Sequence, residues 1–353
     1  MRVVVAMSGG VDSSVAAALM AEAGHEVIGL SMQLYDQRGG EIRFGTCCTI
    51  DDLHDARRVA ARLGIPHYIV NFEREFNEHV VDNFVAEYAA GRTPIPCVHC
   101  NGDLKFATLA TRAEGFGADL VATGHYARVS RDEASGRYRL ERGVDAAKDQ
   151  SYFLFTLTQA QLAHAAFPVG ALDKPAVRAY ARALDLPVAD KPDSHEICFV
   201  PDGDQAAFVE KHGGGGAGGA IRDVEGRVVG AHAGVHRFTV GQRKGLGLSS
   251  PIPLYVVGID AARETVTVGP RAALERRTLT AGGVNWIAGM APAAGIRATA
   301  QIRHRHPEAA ATITPLDDAR VQVEFDAPQS AVAPGQALVM YDGDEVLGGG
   351  WIE

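Results

Sequence analysis

Residues 3–14 constrain the fold more than any other stretch of the chain. A β-branched apolar run is followed by a Ser-Gly-Gly turn and by an alanine-rich segment that ends near Gly24. This order predicts a buried strand, a tight loop and a helix. Gly9 and Gly10 can adopt backbone conformations that point successive N–H groups into one concavity, at the positive end of the helix. Such a loop is suited to binding phosphate.

The polar side chains of this loop indicate which kind of phosphate-containing ligand it binds. Ser8, Ser13 and Ser14 supply hydroxyl groups. Asp12 has the wrong charge for a phosphate unless it orients the loop or helps to hold Mg²⁺, so a metal–nucleotide complex is favoured. The loop lacks the Walker and dinucleotide-binding patterns. Residues 8–13 resemble the S-G-G-x-D-S loop of the N-type ATP pyrophosphatases, which split ATP between its α and β phosphates; the alternative is an ordinary strand–helix turn.

Strands and helices are predicted to alternate through the first half of the chain. The pattern predicts strands over 26–34, 67–71 and 119–123, and helices over 51–63, 72–90 and 103–114. We therefore expect an α/β fold with a doubly wound parallel sheet and ligands at the carboxyl ends of its strands. Beyond Asp190, short alternating runs such as 237–240 and 254–257 predict two small β-rich domains. The expected boundaries are 1–200 for the catalytic domain, 201–275 for a central β-rich domain and 276–353 for a C-terminal β-barrel.

Composition restricts where the chain works and what it binds. The sequence of 353 residues has no apolar run near the ~20 residues of a membrane span. Because its first residues already form a strand, we expect no signal peptide, no membrane association and a cytoplasmic location. A net charge of −9 argues against a protein that coats nucleic acid indiscriminately, although a local basic face is compatible with it.

Five cysteines in such a chain favour catalytic, redox or metal roles over a disulfide framework. Cys97 and Cys100 lie in a loop stiffened by two prolines and are followed by a predicted helix, so the helix dipole would stabilise a thiolate there. Cys100 is therefore a candidate nucleophile. Cys198 is a second candidate, for which buried packing is the simpler reading. We assign no role to Cys47-Cys48.

Several separate motifs together resemble the tRNA-specific 2-thiouridylase family, and they cover nearly the whole chain. They comprise the loop at residues 8–13, Cys100-Asn101, Ala122-Thr123-Gly124-His125-Tyr126, residues 148–154, residues 193–199 and residues 239–246. The resemblance implies that ATP adenylates O2 of a tRNA wobble uridine. A persulfide on Cys198, loaded by a relay protein, then supplies sulfur to give 2-thiouridine, AMP and pyrophosphate. It also implies that Cys100 is the nucleophile and then forms a disulfide with Cys198.

The same resemblance implies binding roles, residue by residue. The implied ATP contacts are Ala6, Met7, Ser8, Gly9, Gly10, Val11, Asp12, Ser13, Met32 and Gly124, with Mg²⁺ accompanying the nucleotide. The implied tRNA contacts are Ile95, Pro96, Cys97, His125, Lys148, Asp149, Gln150, Arg303, His304 and Gln336. The residues alone favour a core position for Met32, and charge alone favours a solvated strand face for residues 303–306.

Two positions depart from the family pattern. Ile95-Pro96-Cys97 replaces the frequent Asn-Pro-Asp, so an acid–base role for an aspartate does not transfer, and Arg303-His304 replaces Arg-Tyr. Cys97 also allows an alternative in which Cys97, Cys100 and Cys198 hold a [4Fe–4S] cluster.

Two rival functions remain. One is an amide-forming adenylating synthetase, which has no need of distant thiols. The other is a non-catalytic RNA-binding protein, in which the motif at residues 8–13 would have been lost by mutation.

Overall fold

The computed structural model describes residues 1–34, 49–193, 197–200 and 203–353, so Cys47 and Cys48 lie outside the described residues. The strands of the first half are β1 (Arg2–Ala6), β2 (Glu26–Gln33), β3 (His67–Asn71), β4 (Leu120–Ala122), β5 (Ala127–Arg131), β6 (Tyr138–Arg142) and β7 (Ala165–Ala166). The α-helices are α1 (Val11–Glu22), α2 (Ile50–Leu63), α3 (Glu73–Phe76), α4 (Asp82–Ala89), α5 (Pro96–His99), α6 (Leu109–Gly115), α7 (Gln159–Ala163), α8 (Lys174–Ala183) and α9 (Gln205–Lys211). π-Helical turns at Asn77–Val81 and Cys100–Thr108 join α3 to α4 and α5 to α6.

A parallel sheet with strand order β3-β2-β1-β4-β7 forms the centre of the first half. Strand β1, at the centre of this sheet, is buried on both faces. Val3 and Val5 pack into one core with α1, and Val4 packs into another core with Phe76 and Leu104. Alternate residues of a strand point to opposite faces, so helices cover both sides of the sheet. This confirms the predicted doubly wound α/β fold.

The strand order places the candidate loops side by side. The chain runs outward from β1 through β2 to β3 and then returns to pair β4 with the other edge of β1. Loops that follow β1 and β4 therefore meet at the carboxyl ends of the strands, where doubly wound sheets bind ligands. Residues 8–13 and Gly124 therefore lie together at the carboxyl ends of β1 and β4, the edge of the sheet where the sequence pattern predicts ligands.

Two local predictions were wrong. The helix predicted to start at residue 103 begins at Pro96, which occupies its first position. Proline suits that position because its missing N–H has no partner there in any helix, so a residue that suggests a loop here starts a helix. The strand predicted at 237–240 is absent from the described structure, where a 3₁₀ turn, Val235–Arg237, and irregular chain occupy the segment.

The second half is rich in β-structure, as predicted. The remaining strands are β8 (Gly219–Asp223), β9 (Val228–His232), β10 (Tyr255–Asp260), β11 (Thr265–Gly269), β12 (Glu275–Trp286), β13 (Ile296–Gln301), β14 (Ala309–Pro315), β15 (Val321–Ser330), β16 (Ala337–Asp342) and β17 (Glu345–Ile352). β8 to β11 form a small sheet, and β12 to β17 close into an antiparallel barrel through the β12–β17 pairing. Within the described residues, no helix is long and apolar enough to cross a membrane.

A hairpin that sequence patterns did not reveal connects the halves. Strands β5 and β6 leave the parallel sheet region and extend the barrel sheet through a β6–β17 contact between Glu141 and Glu345. The main hydrophobic core accordingly contains Leu104 from the first half and Val339 and Tyr341 from the barrel. The barrel is thus packed directly against the half of the chain that contains the phosphate-type loop.

Candidate active site

The loop after β1 is held in a fixed shape by its own serines. The backbone N–H of Ser8 donates to Ser13 Oγ at 3.2 Å, and Ser13 Oγ donates to the Gly10 carbonyl at 3.1 Å. Gly9 has a φ of +76°, and a Cβ at this position would lie 2.1 Å from the Asp52 carbonyl oxygen at the start of α2. A glycine is therefore required, because any side chain would be strained and would collide with backbone. Ser8 itself is exposed.

Gly124 brings the end of β4 against the start of α1. A Cβ there would lie 2.5 Å from the Ser13 amide nitrogen and 2.7 Å from the Asp12 carbonyl carbon. This contact depends on the missing side chain and joins the two predicted ATP-binding segments into one surface. Met32, predicted to contact adenine, is buried at 7% exposure within the main core, in agreement with the alternative reading as a core residue.

The Asp12 carboxylate is paired with two protein side chains. Lys174 Nζ lies 2.8 Å from both of its oxygens, and the Tyr126 hydroxyl donates to Oδ1 at 2.7 Å. Burial and the neighbouring Asp12 charge raise the pKa of Tyr126, so its hydroxyl stays protonated and remains a donor. Asp12 therefore orients the loop. Lys174 therefore occupies the position from which a cation would contact both Asp12 oxygens.

Lys174 extends this contact into a network of charged residues that sequence patterns missed. Its Nζ also lies 2.8 Å from Asp193 Oδ1, while Lys148 Nζ lies 2.7 Å from Oδ2 and Arg178 Nη2 lies 3.0 Å from Oδ1. Burial opposes ionisation of Asp193, but hydrogen bonds from Lys148 and Lys174 outweigh it and lower its pKa to about 2. We call Asp12, Lys148, Lys174, Arg178 and Asp193 the charge network. Asp193 belongs to the 193–199 motif, which was the one sequence signal for it.

A second lysine fixes the same loop from the other side. Lys191 Nζ donates to the Gly9 carbonyl at 3.0 Å and pairs with Asp52 at 2.6 Å and Asp55 at 2.7 Å. The capping box between Thr49 and Asp52 begins α2 at the same place. The segment 189–193 is therefore attached to the phosphate-type loop at two points, through Lys191 and through the charge network.

The two candidate catalytic thiols pack against one core. Cys100 and Cys198 are half-buried and both contact the main hydrophobic core, whereas Cys97 is exposed. Phe199, next to Cys198, packs edge-on to Phe84 at 5.1 Å and so fixes this part of the chain. Because the helix begins at Pro96, Cys97 lies in its first turn and Cys100 in the second. The helix dipole acts mainly on the first turn, so its expected effect on Cys100 is smaller than predicted.

The donor set for an iron–sulfur cluster is not assembled. Within residues 1–34, 49–193, 197–200 and 203–353, no three His, Cys, Asp or Glu side chains are grouped to hold a metal ion. That range includes Cys97, Cys100 and Cys198. The residues present therefore do not fit a [4Fe–4S] cluster in this structure, and the cluster hypothesis lacks support.

The surroundings of Cys100 contain residues with predicted RNA contacts. The buried Asn101 accepts a hydrogen bond from Lys105 at 2.8 Å and donates to the Phe153 carbonyl at 3.4 Å. The Phe153 ring lies 4.5 Å from the His304 ring of the barrel. Arg303 donates to the carbonyls of Ser330 and Ala331 at 3.4 Å, and Gln336 Nε2 donates to the Thr93 carbonyl at 2.9 Å. The barrel residues thus border the helix that contains Cys100.

The other predicted tRNA contacts are engaged within the protein. His125 is buried beside the rings of Phe106 and Phe167, and its Nδ1 lies 2.7 Å from Thr123 Oγ1. Burial together with the Lys105 charge lowers its pKa well below the ordinary value. Asp149 accepts from Gly143, Arg142 and Ser151, and Gln150 Oε1 accepts from the Tyr126 amide. Ile95 and Pro96 are buried. In this conformation, Cys97 and His304 are the exposed members of the predicted set, while Lys148, Asp149, Gln150, Arg303 and Gln336 are half-buried.

Comparisons with known proteins cover the whole chain. Three family models match in order: the tRNA methyl transferase HUP domain over residues 1–202, the tRNA methyl transferase PRC-barrel domain over 206–270 and the aminomethyltransferase beta-barrel domain over 276–352. The tRNA-specific 2-thiouridylase MnmA of Geotalea uraniireducens is 58% identical over 100% of this chain and 95% of its own. The protein of the same name from Geobacter metallireducens is 54% identical over 100% of this chain and 96% of its own.

A solved 4-thiouridine synthetase–RNA complex with bound ATP is a more distant match. It is 15% identical, covers 60% of this chain and 50% of that chain, and has a TM-score of 0.36, which is too low to bear on function. The conclusion rests instead on the full-length relatives and on the family model that matches residues 1–202. This chain belongs to the MnmA family of tRNA-specific 2-thiouridylases.

Proposed function

We propose that this protein is an ATP-dependent tRNA 2-thiouridylase, a sulfurtransferase that converts a wobble uridine into 2-thiouridine. The observation that supports it most is the meeting of the Ser8–Ser13 loop with Gly124 at the strand ends, while Cys100 and Cys198 pack against one core. An adenylating site and a pair of thiols are the two components this reaction needs. The amide-forming alternative explains the loop but gives the thiols no task.

ATP is the proposed first substrate, bound by residues 6–13, Met32 and Gly124. The loop amides at the start of α1 suit the phosphates, because an N-terminal helix end attracts negative charge. Mg²⁺ enters as part of the nucleotide complex, since Asp12 is already paired with Lys174. Attack of uridine O2 on the α-phosphorus forms adenylated tRNA and releases pyrophosphate, which turns a poor leaving group into AMP.

Sulfur transfer is proposed to use both thiols. A persulfide relay protein loads Cys198, whose terminal sulfur attacks C2 of the activated base and displaces AMP. The Cys100 thiolate then attacks Cys198 Sγ, and a Cys100–Cys198 disulfide forms. The bond between Cys198 Sγ and the sulfur on C2 of the base breaks, and its electron pair stays on the 2-thiouridine sulfur. An external dithiol reduces that disulfide for the next cycle.

We propose that tRNA binds across the barrel and the helix that contains Cys100. His304 beside Phe153 offers a stacking surface, and Arg303 offers positive charge. Lys148, which is paired with Asp193 in the charge network, would contact tRNA from that position. Residues 95–97 would contact the extruded base, and the rest of the predicted set, His125, Asp149, Gln150 and Gln336, would shape this surface. The domain boundaries 1–200, 201–275 and 276–353 and a cytoplasmic location are part of the same proposal.

The test is a reaction with unmodified tRNA, MgATP and a persulfide donor, followed by nucleoside analysis and pyrophosphate measurement. We expect 2-thiouridine at the wobble position and pyrophosphate release that depends on tRNA. A matched tRNA with cytidine at that position should give neither product. Pyrophosphate release with a small carboxylate in place of tRNA would instead support the amide-forming alternative.

A further inference from the structure

The chain that leads to Cys198 is attached to the loop at residues 8–13 by the charge network, in which Lys174, Arg178 and Asp193 have no assigned task in the proposed reaction. Arg178, one helical turn after Lys174 in α8, donates to the carbonyls of Ala189 at 2.8 Å and Lys191 at 2.9 Å as well as to Asp193. Helix α8 therefore holds the segment 189–193 along its length. The same helix holds Asp12 through Lys174.

Asp193 is where these contacts converge. Its carboxylate receives Lys148, Lys174 and Arg178 within 3.0 Å, and its side chain is 21% exposed. Three cations around one carboxylate in a partly dry site fix its position more firmly than a surface pair would. Cys198 follows it by only five positions in sequence, so the Cα atoms of the two residues stay within roughly 18 Å of each other.

We propose that Asp193 is a positioning residue that sets Cys198 relative to the ATP site and is needed for sulfur transfer rather than for adenylation. The proposal rests on the proposed function. The Asp12–Lys174 pair and the Tyr126 hydrogen bond keep the loop at residues 8–13 in place without Asp193. The segment 189–193, in contrast, loses the side chain that joins it to Lys148 and Lys174.

Adenylation and sulfur transfer can be measured separately, through pyrophosphate and 2-thiouridine. Adenylation releases one pyrophosphate for each activated uridine. If the persulfide is misplaced, water attacks C2 instead, so uridine and AMP form and no 2-thiouridine accumulates. The ratio of 2-thiouridine to pyrophosphate therefore measures how well Cys198 is placed, independently of how fast ATP reacts.

The test compares wild type with Asp193→Asn, measuring pyrophosphate and 2-thiouridine in the same tRNA reaction. We expect pyrophosphate release within about threefold of wild type and a fall of at least tenfold in 2-thiouridine per pyrophosphate. Asp190→Asn is the matched control, because Asp190 is exposed and pairs with Arg182 away from the network. Its ratio should stay at the wild-type value.

Arg178→Gln provides a second variant that also leaves the Asp12–Lys174 pair intact, and it should lower the same ratio. A parallel fall of both products in Asp193→Asn, with the ratio unchanged, would show a general structural role and overturn the proposal. An unchanged yield of 2-thiouridine would overturn it as well. Failure of the proposed function itself looks different, because wild-type protein would then form no 2-thiouridine.

Discussion

Replacing Gly124 with alanine should damage the ATP site selectively. The added Cβ would lie 2.5 Å from the Ser13 amide nitrogen, about 0.9 Å short of ordinary contact at 3.4 Å, and its three nearest neighbours are all backbone atoms. Backbone has no rotamer with which to move aside, so β4 and the start of α1 must separate. Overpacking of this kind costs about 1–3 kcal/mol of stability. A displacement near 1 Å at a reacting centre costs roughly 10²-fold in rate.

The assay measures binding of a non-hydrolysable ATP analogue and tRNA-dependent pyrophosphate release, at a temperature where urea titration shows the variant folded. We expect both to fall, with the rate reduced about 10²-fold. Gly115→Ala is the control, since a Cβ at Gly115 has no neighbour within 4 Å among the described residues. Wild-type nucleotide binding and rate in the Gly124→Ala variant would refute the reasoning that this contact shapes the site.

Three further predictions concern the charges and rings around the site. Lys174→Met should lower the free energy of unfolding by about 1.5–3 kcal/mol, because the half-buried carboxylates of Asp12 and Asp193 lose a buried cation that they share. It should also abolish pyrophosphate release, and full release would contradict this. In the folded protein the pKa of Asp193 is lowered from 3.8 to about 2, so the ionised carboxylate adds about 2 kcal/mol to the free energy of unfolding above pH 4. This contribution is lost as the pH falls from 4 towards 2, because the carboxylate becomes protonated. The stability difference between wild type and Asp193→Asn, measured by urea titration, should shrink over that range, and a constant difference would argue against the lowered pKa. His99→Ala removes a ring stacked 4.9 Å from Trp351 of the barrel and should cost about 1 kcal/mol of unfolding free energy, which an unchanged urea midpoint would disprove.

Local sequence signals predicted the parts of the fold that depend on nearby residues. The strand–loop–helix at residues 3–14 was correct because apolar strand residues and glycines act over a few positions. Helix α2 ends at Leu63 as predicted, because the next residue, Gly64, adopts a φ of +68°. The helix start at Pro96 was missed because proline both breaks helices and begins them, and only the following contacts decide between the two.

The charge network was beyond sequence reasoning for a different reason. Lys174 and Asp12 are 162 positions apart, and isolated lysines and aspartates most often lie on solvated faces. Only the packing of α8 beside α1 brings them together. The same holds for His125, which the fold buries beside the rings of Phe106 and Phe167, with its Nδ1 2.7 Å from Thr123 Oγ1.

The most direct test of the proposed function is sulfur transfer to tRNA under anaerobic conditions by wild type, Cys97→Ala, Cys100→Ala and Cys198→Ala. The covalent persulfide mechanism predicts that 2-thiouridine is lost in Cys100→Ala and Cys198→Ala, is retained in Cys97→Ala, and does not depend on bound iron. Loss of activity in all three variants, in proportion to bound iron, would contradict it and assign the thiols to a cluster instead.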